Sequence, residues 1–240
     1  MKYFGSNNYA LAPLKPFLHM CKSFLGQKTG NPKNLSDCMK IDLEAMNGKT
    51  FILFQRSINF SSMILAYHFS DFKLAEVLSR SAALLYTTIS NLGAACGRMY
   101  HSLVLLERAS STKSCQRHRI RVVRRNLKVM RQWSKNCPKN FLGKQFLVEA
   151  ELAAVLNRHP EAKSKYYVAI IQSRDSGLLW QEALANERAG KFHLKIGQHA
   201  EAIPFLEEAR RLYKEWGGIA KLEHFEREIE EEFGEVSASL

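Results

Sequence analysis

The chain has 240 residues, of which 46% are hydrophobic and 24% are charged. The apolar fraction excludes a disordered chain, and a content of only 13 Gly and 6 Pro excludes a collagen-like one. With 35 Lys and Arg against 23 Asp and Glu, the net charge is +12. Such a surface is typical of proteins that meet nucleic acid, anionic lipid or an acidic protein, and composition does not choose between them.

The sequence predicts a protein of a reducing compartment. No run of about 20 mainly apolar residues occurs, as a membrane-spanning helix would require. Residues 1–8 are too polar for the apolar part of a signal peptide. The cysteines at 21, 38, 96, 115 and 137 are odd in number and form no CxxC pair, which favours free thiols. We therefore expect a cytoplasmic location.

Helical periodicity begins near residue 51. Residues 1–50 are predicted to form a poorly defined helical or irregular segment. Beyond them, apolar residues recur every three or four positions, without the strict alternation of strands. A turn at 69–72 precedes a helix with Ala75 and Ala82, and a further helix pair is predicted at 94–109 and 115–135. The last clear helix places an apolar stripe on one side: Ala202, Leu206, Ala209, Leu212, Tyr213 and Trp216.

The helices also repeat. Asn157 and Gly197 are 40 residues apart, and each lies between two helical patterns. A fixed period that carries two helices is the signature of an α-solenoid. A non-repeating helical bundle is the alternative. The paired small residues that carry the repeat are Ala162 with Ala202 and Ala169 with Ala209, while Tyr166 corresponds to Leu206.

The best unit follows the tetratricopeptide pattern. Small residues fall where two helices must approach closely, namely Gly190, Gly197, Ala202 and Ala209, and Leu206 takes the large position. Asn186 replaces the usual aromatic residue. Pro204 lacks an amide hydrogen, so we expect its helix to begin late, near Ala202, or to be kinked.

The predicted fold class is therefore all-α, a tetratricopeptide-like α-solenoid of antiparallel helix pairs with a right-handed superhelix. Its predicted parts are the N-terminal segment 1–50, tetratricopeptide-like helical repeats at 51–218, and a C-terminal capping helix with an acidic tail at 219–240. In that last part, 223–235 contain seven Glu and one Arg. Ile219, Leu222, Phe225, Ile229 and Phe233 follow helical spacing, which indicates a capping or dimerising helix.

A basic block lies in the middle of the chain. Between Glu107 and Glu149 there is no acidic residue, while twelve Lys or Arg occur. A cationic stripe is predicted opposite the apolar Ile120, Val123, Leu127 and Met130. We predict that this stripe binds a partner through Arg117, Arg121, Arg124, Arg125 and Lys128. It lacks interleaved aromatic residues and any nucleic-acid-binding fold signature, so a solvated face or an acidic protein partner is favoured.

No pattern in the chain predicts chemistry. Gly48-Lys49-Thr50 resembles the end of a phosphate-binding loop, but Leu43 stands where the first glycine is required. Cys115 and His118 supply two metal ligands where about four are normal. No spacing selects a nucleophile with its base and acid. We expect no catalytic residue, no metal and no cofactor.

Three ordered blocks resemble a known helical segment. They run from Trp133 to Phe141 with Phe146 to Leu152, from Glu182 to Phe192, and from Phe205 to Leu222. They are similar to the tetratricopeptide-like segment of large multidomain signalling proteins. Those proteins also contain a serine/threonine-kinase-like domain, an AAA-type ATPase, a GAF domain and a sensor histidine kinase. The resemblance is good over residues 95–225 and weak over 1–50.

The resemblance implies a connecting module, because the catalytic domains of that family lie on either side of this segment. We therefore predict a non-enzymatic protein-interaction or relay module in signal transduction. The expected partner is a protein, such as a kinase or ATPase component, and a homo-oligomer through the C-terminal helix is left open. The alternative is a binder of nucleic acid or of an anionic surface that uses the basic block 113–144. Whether the chain is free-standing, a remnant or a truncated gene product is also left open.

Overall fold

The computed structural model describes residues 15–26, 48–82 and 91–234. In these ranges the backbone is helix and turn, and no strand occurs. Most of the predicted segment 1–50 and residues 235–240 of the predicted acidic tail lie outside them. The helices are α1 Lys15–Phe24, α2 Gly48–His68, α3 Phe72–Ala82, α4 Asn91–Ser111, α5 Gln116–Asn136, α6 Pro138–Val155, α7 His159–Asp175, α8 Leu179–Lys195, α9 His199–Trp216 and α10 Ile219–Phe233.

The contacts divide the chain into two units, Met1–Tyr100 and His101–Leu240. In the first unit, α2 packs against α1 and α3. The aromatic ring of Phe24 meets the ring of His68 edge-on, with 5.1 Å between centroids. The other side of the His68 ring reaches the Tyr100 hydroxyl, with 2.7 Å between Nε2 and Oη. Asp71 begins α3 by accepting the Leu74 amide hydrogen on its side chain at 3.1 Å.

In the second unit, helices that follow one another in sequence pack as neighbours. α5 packs against α6, α6 against α7, α7 against α8, α8 against α9, and α9 against α10. Contacts between α6 and α8 add a next-nearest neighbour. The second half of α4 also belongs to this unit. All-helical architecture is thus established for the described residues.

Short turns of one kind separate the last five helices. Four residues at intervals of 20 have a positive φ, namely Asn157, Gly177, Gly197 and Gly217. This left-handed conformation ends a helix and is least costly for Gly, followed by Asn. Asn157 and Gly197, which are 40 residues apart, were each predicted to lie between two helices. Both do so, and both have the same left-handed backbone conformation.

Small residues permit a close approach between α8 and α9. Ala202 and Ala209 are fully buried, and so is Leu206 between them. A Cβ atom on Gly190 would lie 2.5 Å from Leu206 Cδ2, which is too close for any real side chain. The core around this contact consists of Ala183, Leu194, Ala202, Leu206, Ala209, Leu212, Tyr213, Phe225 and Ile229.

Pro204 lies inside α9. This helix begins at His199, so the expectation of a late start near Ala202 was wrong. The amide hydrogen of Ala202 already bonds to the Gln198 carbonyl at 3.1 Å, which closes the first turn ahead of the proline. Pro204 therefore removes one backbone hydrogen bond without delaying the helix.

The predicted capping helix is α10. Phe225 and Ile229 are buried against α9, as the spacing indicates. Ile219 was expected to belong to the same apolar stripe, but it is 54% exposed. It occupies the first turn of α10 and lies about 100° around the helix from the side that carries Phe225 and Ile229, because a helix advances by about 100° per residue.

Candidate functional site

α5 has one buried side and one cationic side. Val123, Leu127 and Met130 are buried, and the Asn126 side chain donates a hydrogen bond to the Ser102 hydroxyl of α4 at 3.1 Å. At the start of the helix, the buried Arg119 guanidinium donates to the Ser114 carbonyl. These contacts fix which side of α5 faces solvent.

The solvent side carries the predicted partner-binding residues. All five are exposed, and they are Arg117, Arg121, Arg124, Arg125 and Lys128. Their spacing places them within an arc of about 100° on the helix. We call this set the basic α5 surface. The structure therefore brings the five cations together on one face, as the sequence predicts.

The basic α5 surface has no internal counter-charge. Among the described residues, no carboxylate forms an ion pair with any of its five cations. Arg131, on the next turn, differs because its Nε lies 2.8 Å from Glu149 Oε1. Lys165 of α7 also pairs with Glu149, at 2.9 Å. Positive charge that a partner could neutralise is therefore concentrated on the first three turns of α5.

Cations of the later helices are largely paired. Arg174 lies 2.7 Å from Glu182, Arg210 lies 2.6 Å from Glu226, and Arg211 contacts both Glu208 and Glu215. These pairs are half-exposed or exposed and contribute little to stability. Their effect is to leave the faces of α7 and α9 nearly neutral, unlike the face of α5.

A second charged cluster is buried. Arg188 of α8 donates two hydrogen bonds to Glu151 of α6, at 2.6 and 2.9 Å, and one to Glu107 of α4 at 2.5 Å. Burial alone would raise the pKa of Glu107, but the charges of Arg188 and Lys195 outweigh it and lower the pKa to about 2. Glu107 thus stays ionised at any physiological pH.

α10 is held by a similar cluster. Glu187 accepts from Lys191 at 2.7 Å, from Lys221 at 3.0 Å and from the Tyr213 hydroxyl at 2.6 Å. Lys191 also donates to Glu228 of α10 at 2.7 Å. Burial would raise the pKa of Glu187, and the two lysine charges instead hold it well below its usual range. Burial lowers the pKa of Lys221 despite the charge of Glu187.

The Arg188 cluster, together with Lys191 and Lys195, lines a cavity of about 390 Å³. The ends of α4, α6 and α8 and the start of α7 line it, and its walls include His159, Tyr166 and Phe192. Its charged groups already bind one another, and only Lys195 is half-exposed, 3.5 Å from Glu107. The cavity floor is therefore suited to holding helices together rather than to receiving a charged ligand.

The burial of α8 was not predicted from the sequence. Every residue from Gln181 to Leu194 is buried, including Glu182, Glu187, Arg188 and Lys191. Charged residues at these positions look solvent-facing by composition. The available signal was the pairing of opposite charges on helices 37 residues apart, as in Glu151 with Arg188 and Lys191 with Glu228.

The described residues show two further features that bear on function. No group of three or more His, Cys, Asp or Glu within them is placed to hold a metal ion. None of their helices is both long and apolar enough to cross a membrane.

The chain was compared with protein families, curated proteins and solved structures, and it matches none of them.

Proposed function

We propose that the chain is a non-enzymatic protein-interaction module whose basic α5 surface binds an acidic surface of a protein partner. The observation that carries this proposal is the exposure of five cations on one face without an internal counter-charge. Complementary charge of this kind steers encounter and selects against partners of the wrong sign. The buried contacts of α5 with α4 and α6 hold the cations on one side.

The architecture that we propose for the second unit is a tetratricopeptide-like α-solenoid with a right-handed superhelix. Its support is the packing of each helix on the next, the added contact of α6 with α8, and the equal spacing of the four left-handed turns. Each unit of a solenoid contacts only its neighbours, so a surface helix can change its partner-binding residues without disturbing the core.

A relay role in signal transduction is the second layer of the proposal. It rests on the resemblance of residues 95–225 to the helical segment of ATPase and sensor-kinase proteins. The proposed partner in that setting is a kinase or ATPase component, and the proposed location is the cytoplasm. An acidic patch on such a component would match the charge of the basic α5 surface.

Nucleic acid is the competing ligand for the same cations. Single-strand binding depends on aromatic side chains that stack on bases. The aromatic residue of α5, Trp133, is half-buried and packs on Phe141 with 5.7 Å between ring centroids. The five cations lie apart from it on the preceding turns. This arrangement favours a protein partner over a single-stranded nucleic acid.

The test uses the full chain and two probes in isothermal titration calorimetry. One probe is an alanine-based helical peptide of about 20 residues that carries Glu along one face. The other is a duplex DNA of similar length. We expect the peptide to bind more tightly than the duplex at about 0.2 M salt, because the surface lacks a nucleic-acid-binding fold signature, and both to weaken as the salt rises. The double variant Arg121→Glu with Arg125→Glu should weaken peptide binding by roughly tenfold or more.

The matched control is Arg158→Glu with Lys214→Glu. It has the same net charge as the α5 variant, and both residues are exposed away from α5. We expect it to bind the peptide within about twofold of the unchanged chain. Duplex binding that persists at this salt while the peptide fails to bind would overturn the proposal in favour of a nucleic-acid binder. Equal weakening in both variants would show that net charge, and not the basic α5 surface, determines binding.

A further inference from the structure

The outer face of α10 has the opposite charge to the basic α5 surface. Glu223, Glu230 and Glu231 are exposed there, and no described cation forms an ion pair with them. Glu226 lies on the same face and pairs with Arg210 of α9. Arg227 is exposed between these carboxylates and contacts His224, so the outer face of α10 has a net negative charge although it also carries one cation.

The two faces are similar in length and opposite in charge. Residues 117–128 span about 17 Å along α5, and residues 219–231 span about 18 Å along α10, at 1.5 Å per residue. Ile219 lies on the acidic face of α10 and is 54% exposed. This side chain would add an apolar contact to an interface formed mainly by charges.

Within one copy, the two faces do not neutralise each other. α5 packs against α6, whereas α10 packs against α9 and is held to α8 by Lys191 and Glu187. None of the three unpaired carboxylates forms an ion pair with a cation of α5 in the same copy. Each face is therefore available to an opposite charge on another molecule.

We propose that the acidic partner of the basic α5 surface is α10 of a second copy of this chain, bound head to tail. The inference rests on the proposed function, since it names the partner of the same surface. Such an interface joins different surfaces of the two copies, so each bound copy still offers one free face of each sign. The association then continues to a ring or an open filament.

The association must depend on salt and concentration. Exposed ion pairs change an association constant by only a few-fold each, and several act together here. At about 0.1 M salt the Debye length is about 10 Å, which screens the repulsion of net charge between whole molecules but leaves contact pairs effective. Raising the salt to about 0.5 M should weaken the association by roughly tenfold or more.

The experiment is sedimentation velocity of the full chain over a series of concentrations at these two salt levels. We expect the weight-average sedimentation coefficient to rise with concentration at the lower salt and to fall toward the monomer value at the higher salt. Two variants should each stay monomeric: Arg121→Glu with Arg125→Glu on α5, and Glu223→Lys with Glu230→Lys on α10. A mixture of the two variants should associate again. The α5 variant keeps the acidic face of α10, and the α10 variant keeps the basic α5 surface that binds it.

The control Arg158→Glu should associate like the unchanged chain, and circular dichroism should show equal helix content in all four proteins. A chain that stays monomeric at every concentration at the lower salt would overturn the self-association, and so would an α10 variant that associates normally. If the acidic peptide still binds to the basic α5 surface in that case, the proposed function stands without it. If neither the peptide nor a second copy binds, both proposals fail.

Discussion

Glu187 illustrates why charged residues are tolerated inside this protein. Its two carboxylate oxygens accept hydrogen bonds from two lysines and a tyrosine, and the whole group is buried. Taking a charge out of water costs several kcal/mol unless its partners replace the lost hydration. Here one carboxylate compensates Lys191 and Lys221 together, and Glu228 supplies the second negative charge.

Replacing Glu187 by Gln should therefore destabilise the fold strongly. The change keeps the shape of the side chain but leaves two buried ammonium groups with only Glu228 nearby. We expect a loss of about 3–5 kcal/mol in the free energy of unfolding, measured by urea denaturation. The matched change Glu215→Gln removes an exposed carboxylate that pairs with Arg211 and should cost less than about 1 kcal/mol. Similar losses in both variants would contradict the role of the buried cluster.

Sequence reasoning at this scale succeeded on α5 and failed on α8. The five cations of α5 were placed correctly, because one side of that helix is packed and the other is not. In α8, Arg188 and Lys191 occur on a helix with neighbours on every side. A single helix pattern does not reveal how many neighbours the helix has, so their burial depends on tertiary packing that periodicity does not encode.

At the scale of the helix, Gly190 determines how closely α8 and α9 pack. Its missing side chain leaves the space that Leu206 fills, and Leu206 is fully buried. The two residues were recognised in the sequence as a small and a large position of one repeat. The structure adds that they are direct contact partners.

We predict that Gly190→Ala lowers the free energy of unfolding by about 1–3 kcal/mol through overpacking. The sign is diagnostic, because an alanine inside a helix is otherwise more favourable than glycine by about 1 kcal/mol. In a Leu206→Ala background the same change should be neutral or stabilising. Urea denaturation of the four proteins in this double-mutant cycle measures the coupling. Stabilisation by Gly190→Ala in the unchanged background would rule out the close contact.

The boundaries of the helices were predictable to different degrees. Asn157 and Gly197 marked ends correctly, since a left-handed residue is needed there and both residue types adopt it readily. The start of α9 was predicted too late. Pro204 argues for a first turn by its own chemistry, but the preceding residues His199 to Ala202 complete that turn without it.

At the scale of the whole molecule, the free energy of unfolding should depend on pH in the acidic range. The folded-state pKa of Glu107 is about 2, below its ordinary value of 4.5, and that of Glu187 is also lowered. A carboxylate whose pKa is lowered by folding stabilises the protein fully above its unfolded pKa. This contribution is lost as the pH falls through the folded value.

We therefore expect the free energy of unfolding to decline between about pH 4.5 and pH 2, with Glu107 alone contributing up to about 3 kcal/mol of the loss. Urea denaturation at a series of pH values measures it. In Glu107→Gln the protein should be less stable near neutral pH but should lose less on acidification. A pH profile parallel to that of the unchanged chain would show that Glu107 is not held by Arg188 as described.

The distribution of charge along the chain was predictable from the sequence, but the availability of those charges to a partner was not. The stretch without acidic residues between Glu107 and Glu149 and the Glu-rich end are visible in the sequence itself. Which of those charges remain available to a partner is not visible there, because pairs such as Arg131 with Glu149 join residues that lie on different helices. Availability is a property of the folded surface.

The buried ion pairs have a consequence for the order of the helices. A shift of 40 residues carries Glu151 onto Lys191 and Arg188 onto Glu228, so the acid and the base exchange places between the two successive interfaces. The backbone turns at Asn157 and Gly197 are interchangeable, but the charges are not. If residues 158–197 were duplicated in tandem, the second Arg188 would face the first Lys191. Two buried cations would then meet with no carboxylate between them, so repeating this segment would destabilise the fold.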